Sequence, residues 1–374
     1  MSTSFQCSVM HLTYDMRIGG TEMVIKNIIE DCEADTFDMS IFCIESPLGP
    51  WGHQLKNCGI QVTSTSRKPG FDISLIKAIR AHIIENRIDV LHCHQYTPWV
   101  YGAIAALGTK TKTIFTEHGR FYPDSSSWKR KIINPWLCRI TQHITSISEA
   151  TKQALVDFEN IPAKKIEVIY NGIREPIVDI SKINELRTLL KLDNNTEVLG
   201  TIARFDPIKN HLMMLEAFSI VLKSKPNTIL LMVGDGDERQ NIENKLDALG
   251  ITQSVIMTGY DPMPLNYLAL MDVFLLSSLS EGTSMTLLEA MALGKPCVVT
   301  DAGGNAEIIQ HSENGLVTEN NNPSAFADSI LTLLNDKDRV KYMKIKAKSR
   351  FSNMFIVNNM SRKFASLYIN DGKK

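Results

Sequence analysis

Two tandem α/β units, each a parallel β-sheet wrapped by helices, are what this sequence predicts. From residue 5 onward, short β-branched or apolar runs alternate with helix-length amphipathic segments, as parallel strands joined by crossover helices require. The rhythm breaks at a polar, charged stretch, 174–195, and then resumes. At 374 residues the chain is long for one domain and sufficient for two, each with its own core.

In the first series the pattern predicts strands at 7–12, 40–44, 90–92, 113–116, 143–146 and 167–169, with helices at 21–32, 73–85, 98–107, 128–141 and 149–158. Asp72 is placed to N-cap the second of these helices. The segment 176–195 reads as a linker that contains Pro176 and a short helix-forming run, DISKINELR. A second series starts at Glu197 with VLGTIAR. It continues through 212–223, 228–233, 239–249, 255–258, 265–271, 272–276, a helix at 284–293, 296–300 and 325–334. Phe355, Met360, Phe364, Leu367 and Tyr368 recur at helical spacing in 351–369. The division expected is 1–175, the linker, and 196–351, each domain Rossmann-like. Ligands of such sheets sit outside the carboxyl ends of the strands, and two such edges facing one another predict an interdomain cleft.

Composition bounds the function. Apolar content of 44% and charged content of 22% are those of a soluble globular chain, and a net charge of −1 gives no reason to expect nucleic acid as a partner. Seven cysteines (7, 32, 43, 58, 93, 138, 297) form no C-x-x-C pair, and their odd number argues against a disulfide framework, so a cytoplasmic location is expected. No apolar run approaches the roughly 18 residues that span a bilayer. The N-terminus lacks a basic start with a long apolar core, and the end, 371–374, is polar and basic.

The chemistry concentrates in 277–304, SSLSEGTSMTLLEAMALGKPCVVTDAGG. Glu281 falls in the turn after a strand and Glu289 two turns inside the following helix. Between them, Gly282, Thr283, Ser284, Met285 and Thr286 form the helix entry, whose unpaired N–H groups and positive dipole end suit a phosphate. A bare pair of glutamates at this spacing is ordinarily a solvated face. Arg204 and Lys209 lie across a proline-containing turn at the end of the first strand of the second series, where a fork and a point charge can hold a pyrophosphate. A solvated basic loop is the bland alternative. Gly234 and Gly236 in Val233-Gly-Asp-Gly-Asp suit a tight strand-to-helix turn, and the Asp235-x-Asp237 pair is read as turn geometry, with no metal site.

Further motifs stand at other strand ends. Gly19-Gly20 opens the first helix and allows a backbone to approach an anionic group, as would any turn needing glycine. His118, in Glu117-His118-Gly119-Arg120, ends a strand and points toward the cleft; a structural histidine is the ordinary alternative. His92 and His94 share a strand face, with Cys93 on the other and no further ligand nearby, so zinc is not expected. Asn171-Gly172 marks a reversal before the linker. Gly303, Gly304 and Glu307 fit another strand-to-helix turn.

The string Glu281-Gly282, Leu288-Glu289-Ala290-Met291-Ala292, Gly294, Pro296 and Gly303-Gly304 resembles the donor-binding segment of the retaining glycosyltransferases of family 4, which have the GT-B fold. HGRFYPDSSSWKRK, 118–131, resembles the bacterial polysaccharide-associated members. Thr283-Ser284-Met285 replaces the aromatic or small apolar residues usual after Glu-Gly. The resemblance implies metal-independent retaining transfer of a sugar from a UDP- or GDP-linked donor, which is a substrate, with no cofactor. The acceptor would be a saccharide or lipid-linked saccharide. It gives Arg204 and Lys209 the diphosphate, Glu289 the ribose, Glu281 and His118 the donor sugar, and the Gly19-Gly20 loop and the Gly234/Gly236 turn the nucleotide side. Tyr260 would lie beside the base. It also implies that a final helix, 352–370, returns to the first domain. A GT-B nucleotide-sugar 2-epimerase shares these features. A nicotinamide dehydrogenase does not, because no full G-x-G-x-x-G follows a strand with an acidic residue about twenty further on. The segment 128–139 joins cations to Trp128 and Trp136, which predicts peripheral contact with an anionic inner membrane face, although Pro135 is expected to interrupt a long helix there.

Overall fold

The computed structural model describes residues 7–119, 125–193 and 195–369; the readings made at Arg120 and at 371–374, and the middle of 118–131, lie outside the described residues. The chain divides into two compact units, 1–173 with 357–374, and 174–356.

The first unit carries a seven-stranded sheet. Its strands are β1 (Cys7–Thr13), β2 (Phe37–Cys43), β3 (Gln61–Ser64), β4 (Val90–His94), β5 (Lys112–Glu117), β6 (His143–Ser146) and β7 (Ile166–Val168). They pair in parallel in the order β3-β2-β1-β4-β5-β6-β7. The order reverses direction between β1 and β4, which makes a topological switch point there. Asp72 caps the helix Ile73–Glu85 as the sequence indicates, its carboxylate accepting from the Ser74 and Leu75 amides. Behind the sheet, Trp99 stacks on Phe115 at 4.2 Å, and its indole N–H reaches Thr141 Oγ1 at 2.9 Å, so the largest buried side chain has its one polar atom satisfied.

The last helix, Val357–Ile369, covers the sheet face opposite Trp99. It buries Met360, Phe364, Leu367 and Tyr368. Lys112, from β5, caps it by donating to the Leu367 and Tyr368 carbonyls at 3.2 and 3.1 Å, a cation at the negative end of the dipole. The helix does not begin at 352. Residues Phe351–Phe355 form a π-turn continuing the helix Lys337–Arg350 of the second unit, and Ile356 breaks it with an extended conformation.

The second unit has six parallel strands: β8 (Glu197–Ile202), β9 (Thr228–Val233), β10 (Val255–Gly259), β11 (Val273–Leu276), β12 (Cys297–Thr300) and β13 (Gly315–Thr318). Their order, β10-β9-β8-β11-β12-β13, repeats the switch between β8 and β11. The stretch read as a linker holds the helix Ile180–Leu189, capped by Asp179 and packed on the helix Leu265–Leu270.

Pro135 does not interrupt its helix, which runs unbroken over Trp128–Ile140. The proline removes the N–H that would bond the Lys131 carbonyl, and Asn160 Nδ2 donates to that carbonyl instead at 3.2 Å. All seven cysteines are free. Among the described residues no helix is long and apolar enough to cross a membrane.

Candidate functional site

At the carboxyl end of the second sheet, four loops meet around the β8/β11 switch point. The loop after β8 runs through Arg204 and turns on the 3-10 segment Pro207–Lys209, capped by Asp206, whose carboxylate accepts from the Ile208 amide at 3.1 Å. The extension of β11 is stitched to it. Ser277 Oγ donates to the Lys209 and Asn210 carbonyls, and the Leu279 amide donates to Ile208 O.

Glycines let the other two loops close in. Gly234 and Gly236 have φ of 146° and 157°, and a Cβ on either would run into the carbonyl oxygens of Ala203 and Phe205. Gly303, at φ 54°, is pressed in the same way against Glu281 O, to which the Gly304 amide donates at 3.0 Å. These positions accept no side chain without moving a backbone.

This packing places Lys209 Nζ 2.6 Å from Glu281 Oε1, with the side chains 24% and 9% exposed. Ser278 Oγ donates to the same oxygen at 2.6 Å. Both bonds go to Oε1, and among the described residues Glu281 Oε2 has no hydrogen-bond partner. The Lys209–Glu281 contact is a feature that sequence reading misses, since it treats the two as separate ligand groups. Ser278 is also missed; its only signal is a serine pair where a strand ends. Arg204 stands apart, 75% exposed, its guanidinium held by Asp206 Oδ2 at 2.7 Å. A pair this exposed holds the arginine weakly, and it is free to turn to an incoming anion.

The helix Met285–Ala292 starts directly after this turn, with the Ser284 hydroxyl accepting from the Leu287 amide and facing Thr286 Oγ1 at 3.1 Å. Gly282 and Thr283 lie in the turn, and Met285 and Thr286 are the first helical residues. Glu289 is little more than one turn inside, not two, because the helix begins at Met285. Burial pushes its carboxyl up to about 7. Asp235 lies on the surface, its carboxylate accepting from the Gly236 amide and from Arg239. Tyr260 lies beyond β10 and is exposed.

In the first unit, Gly19 caps the helix Gly20–Asp31. A Cβ at Gly19 would meet the Glu22 carboxylate, so the seat beside that helix start is taken by an acidic side chain of the chain itself. Burial raises the Glu22 pKa, and the charge of Asp15 adds to the rise.

His118 follows β5 and is joined to a histidine row. His94 Nδ1 lies 2.9 Å from His118 Nε2, and His11 Nδ1 lies 2.9 Å from His94 Nε2. The expectation of no further ligand beside His92 and His94 is therefore corrected: β1 pairs with β4 so that His11 is in register with His92, and His11, His92 and His94 bring nitrogens within 4.8 Å of one another. Both nitrogens of His92 are hydrogen-bonded, to Tyr368 Oη at 2.8 Å and Thr116 Oγ1 at 2.7 Å, and both of His94 to histidines; of the three rings only His11 keeps a nitrogen, Nε2, with no partner among the described residues. Cys93 faces the other way, toward Gly102.

The sequence and fold have known counterparts. Residues 18–175 match the model described as Glycosyltransferase Family 4, and residues 182–350 the model described as Glycosyl transferases group 1. An Escherichia coli UDP-Gal:alpha-D-GlcNAc-diphosphoundecaprenol alpha-1,3-galactosyltransferase is 25% identical over 98% of each chain. A Bacillus anthracis N-acetyl-alpha-D-glucosaminyl L-malate synthase is 26% identical over 82% of this chain and 81% of its own. Among solved structures, Anabaena HepE in complex with UDP superposes with a TM-score of 0.85 at 22% identity, covering 96% of this chain and 99% of its own. That likeness shows the GT-B fold.

Glu289, half-buried with its carboxyl raised, yields a pH test. Its folded pKa, about 7, lies above the ordinary glutamate value, so ionising it opposes folding. The penalty is absent below pH ~4, grows as pH rises toward 7 and is full above that. Without ligand, Glu289→Gln should match wild type in urea unfolding near pH 4 and exceed its stability at pH 8 by on the order of 1–3 kcal/mol. Parallel curves for the two proteins from pH 4 to 8 would refute the raised carboxyl pKa.

Proposed function

The chain belongs to the family 4 glycosyltransferases, and on that premise we propose that it moves a hexose-type sugar from a UDP-linked donor to a lipid-linked saccharide with retention of anomeric configuration, in cell-surface polysaccharide assembly. The observation that carries the reading is the Lys209–Glu281 pair at the β8/β11 switch point, which sets a cation and a carboxylate oxygen side by side before a helix N-terminus. The name of the E. coli relative supports the uridine donor and the diphospholipid acceptor.

The reaction breaks the bond between the anomeric carbon and the diphosphate. It forms one between that carbon and an acceptor hydroxyl oxygen on the same face, and the hydroxyl proton passes to the departing phosphate oxygen. Charge develops on the diphosphate and on an oxocarbenium-like sugar. Lys209, already fixed by Glu281, and Arg204, turning from Asp206, neutralise the first; preorganised charges of this kind are the largest catalytic contribution available to such a site. Glu281 Oε2 accepts a hydroxyl of the donor sugar, and Glu289 the ribose hydroxyls. His118 supplies a neutral imidazole to the sugar, because burial lowers its pKa to about 3. No step calls for a metal or a cofactor.

Transfer from UDP-hexoses to an undecaprenyl-diphosphate-linked N-acetylhexosamine, with the product anomer read by proton NMR, tests the reading. Retained configuration is expected, and Lys209→Ala should lower turnover at saturating donor about 10²–10³-fold. An inverted product, or undiminished turnover in the variant, would contradict it.

A membrane surface fits the helix Trp128–Ile140. Trp128, Ile132 and Trp136, four apart, form a stripe with Ile133 and are 69, 67, 41 and 44% exposed. Lys129, Lys131 and Arg139 flank it, also exposed. Arg130 is not part of this face: its guanidinium bonds Glu159 at 2.7 Å and lies 4.9 Å over the Tyr96 ring. Indoles, aliphatics and cations together complement anionic headgroups, each cation adding about 1 kcal/mol. The protein should pellet with phosphatidylglycerol vesicles and not with phosphatidylcholine vesicles, and both Lys129→Glu/Lys131→Glu and Trp128→Ser/Trp136→Ser should stay in solution. Equal sedimentation of variants and wild type would show that this face does not meet the membrane.

A further inference from the structure

Parallel strands buried on both faces are ordinarily apolar, yet one face of the first sheet carries His11, His92, His94, Thr116 and Thr145, with His11 and His92 adjacent on paired strands. Their hydrogen bonds form two rows with different ends. One row is closed. The Thr145 hydroxyl donates to Phe115 O at 3.3 Å, so it accepts from the Thr116 hydroxyl at 2.6 Å; Thr116 then accepts from His92 Nε2–H, and His92 Nδ1 accepts from the Tyr368 hydroxyl. A backbone carbonyl fixes the direction of every proton in it.

The other row, His11–His94–His118, is open. His11 Nε2 and His118 Nδ1 are buried and have no partner among the described residues. Burial holds all three rings neutral, His11 and His118 with pKa values lowered to about 3 and His94 well below its ordinary value. Three neutral imidazoles linked twice allow only two proton arrangements, because each ring has one N–H and the central ring must donate on one side and accept on the other. Either every Nδ1 is protonated, which leaves a lone pair at His11 Nε2 and an N–H at His118 Nδ1, or every Nε2 is, which reverses both ends.

The ends are unequal. His11 lies within β1, fully buried, with no ligand able to reach it, whereas His118 lies past the carboxyl end of β5 and is partly exposed. A permanently orphaned N–H is the rarer and costlier defect, so the lone pair belongs at His11 and the N–H at His118. The exit from β4 is held to match: Gln95, directly after His94, has φ 71° and ψ 167°, a region side chains rarely adopt, with its amide bonded to Thr116 O at 2.9 Å.

We propose that His94 and His11 are positioning residues that hold His118 as its Nδ1–H tautomer, so that His118 serves the transfer as a neutral hydrogen-bond donor to an oxygen of the donor and not as a base. This rests on the reading that His118 meets the donor. The row reverses the Nε2–H form that a free imidazole favours in water.

Nitrogen-15 histidine labelling of the whole protein reads the tautomer directly, with the His118 ring assigned by its loss in His118→Gln. Wild type should show a protonated Nδ1 and a bare Nε2 at His118. His94→Asn keeps an amide N–H where the His94 Nδ1–H lies and should preserve that state, whereas His94→Leu should return His118 to mainly Nε2–H. His11→Phe, which frees His94 to turn its proton around, should leave His118 a mixture, and it serves if His94→Leu does not fold. In His94→Leu, kcat should fall about tenfold, the worth of one well-placed hydrogen bond, with the KM for donor little changed, and His94→Asn should restore it. A protonated Nε2 at His118 in wild type, or a tautomer unmoved in both His94→Leu and His11→Phe, overturns the proposal whatever the activities. Correct tautomers with full turnover in His118→Gln would instead overturn the reading that His118 meets the donor.

Discussion

Backbone pressed against backbone is the constraint on which the second unit depends. Where β8 and β11 send their chains to opposite sides of the sheet, the turns at Gly234, Gly236 and Gly303 contact the carbonyls of Ala203, Phe205 and Glu281 with no room for a Cβ. That closeness, together with the Ser277 hydroxyl and the Asp206 cap, fixes the loops carrying Arg204, Lys209 and Glu281. It keeps a cation and a carboxylate at 2.6 Å, largely buried, where an isolated charge of either sign would be costly. The glycines are therefore part of the charge arrangement, although none of them carries charge.

The two units solve the problem of buried polarity differently. In the second, opposite charges are paired and one carboxylate oxygen is left open. In the first, burial keeps the histidines uncharged, and direction comes from the order of donors and acceptors along the rows. Tyr368, from the far end of the chain, anchors one of those rows, so the final helix supplies a hydrogen-bond donor as well as an apolar cover.

Much of this was legible in the sequence, and the gaps have physical causes. Helix 73–85 and strands 143–146 and 228–233 fall where periodicity places them, because a cap, a β-branched run or an apolar stripe marks each. The edge strands β3 and β13 escape, since Gln61–Ser64 is half-exposed and Gly315–Thr318 opens on a glycine and holds only two apolar residues. Helices Pro50–Asn57 and Lys337–Arg350 escape as well; the first buries only Gly52 and Leu55, and the second is so polar that it shows no apolar face. At the site, residue types mark Lys209 and Glu281 singly, but their pairing spans 72 positions and exists only once β8 lies beside β11. His11 carries no local signal at all. It acquires meaning only from the strand order that sets it against His92 and His94.

In this reading the β8/β11 switch point holds the diphosphate of the donor. Calorimetric binding of UDP and UMP to wild type and to Lys209→Met measures it most directly, since the two nucleotides differ only in the phosphate that Lys209 and Arg204 would hold. Wild type should bind UDP at least about tenfold more tightly than UMP, as one charge-assisted contact is worth, and the variant should lose most of that preference while binding UMP nearly unchanged. An equal preference for UDP in both proteins would contradict it.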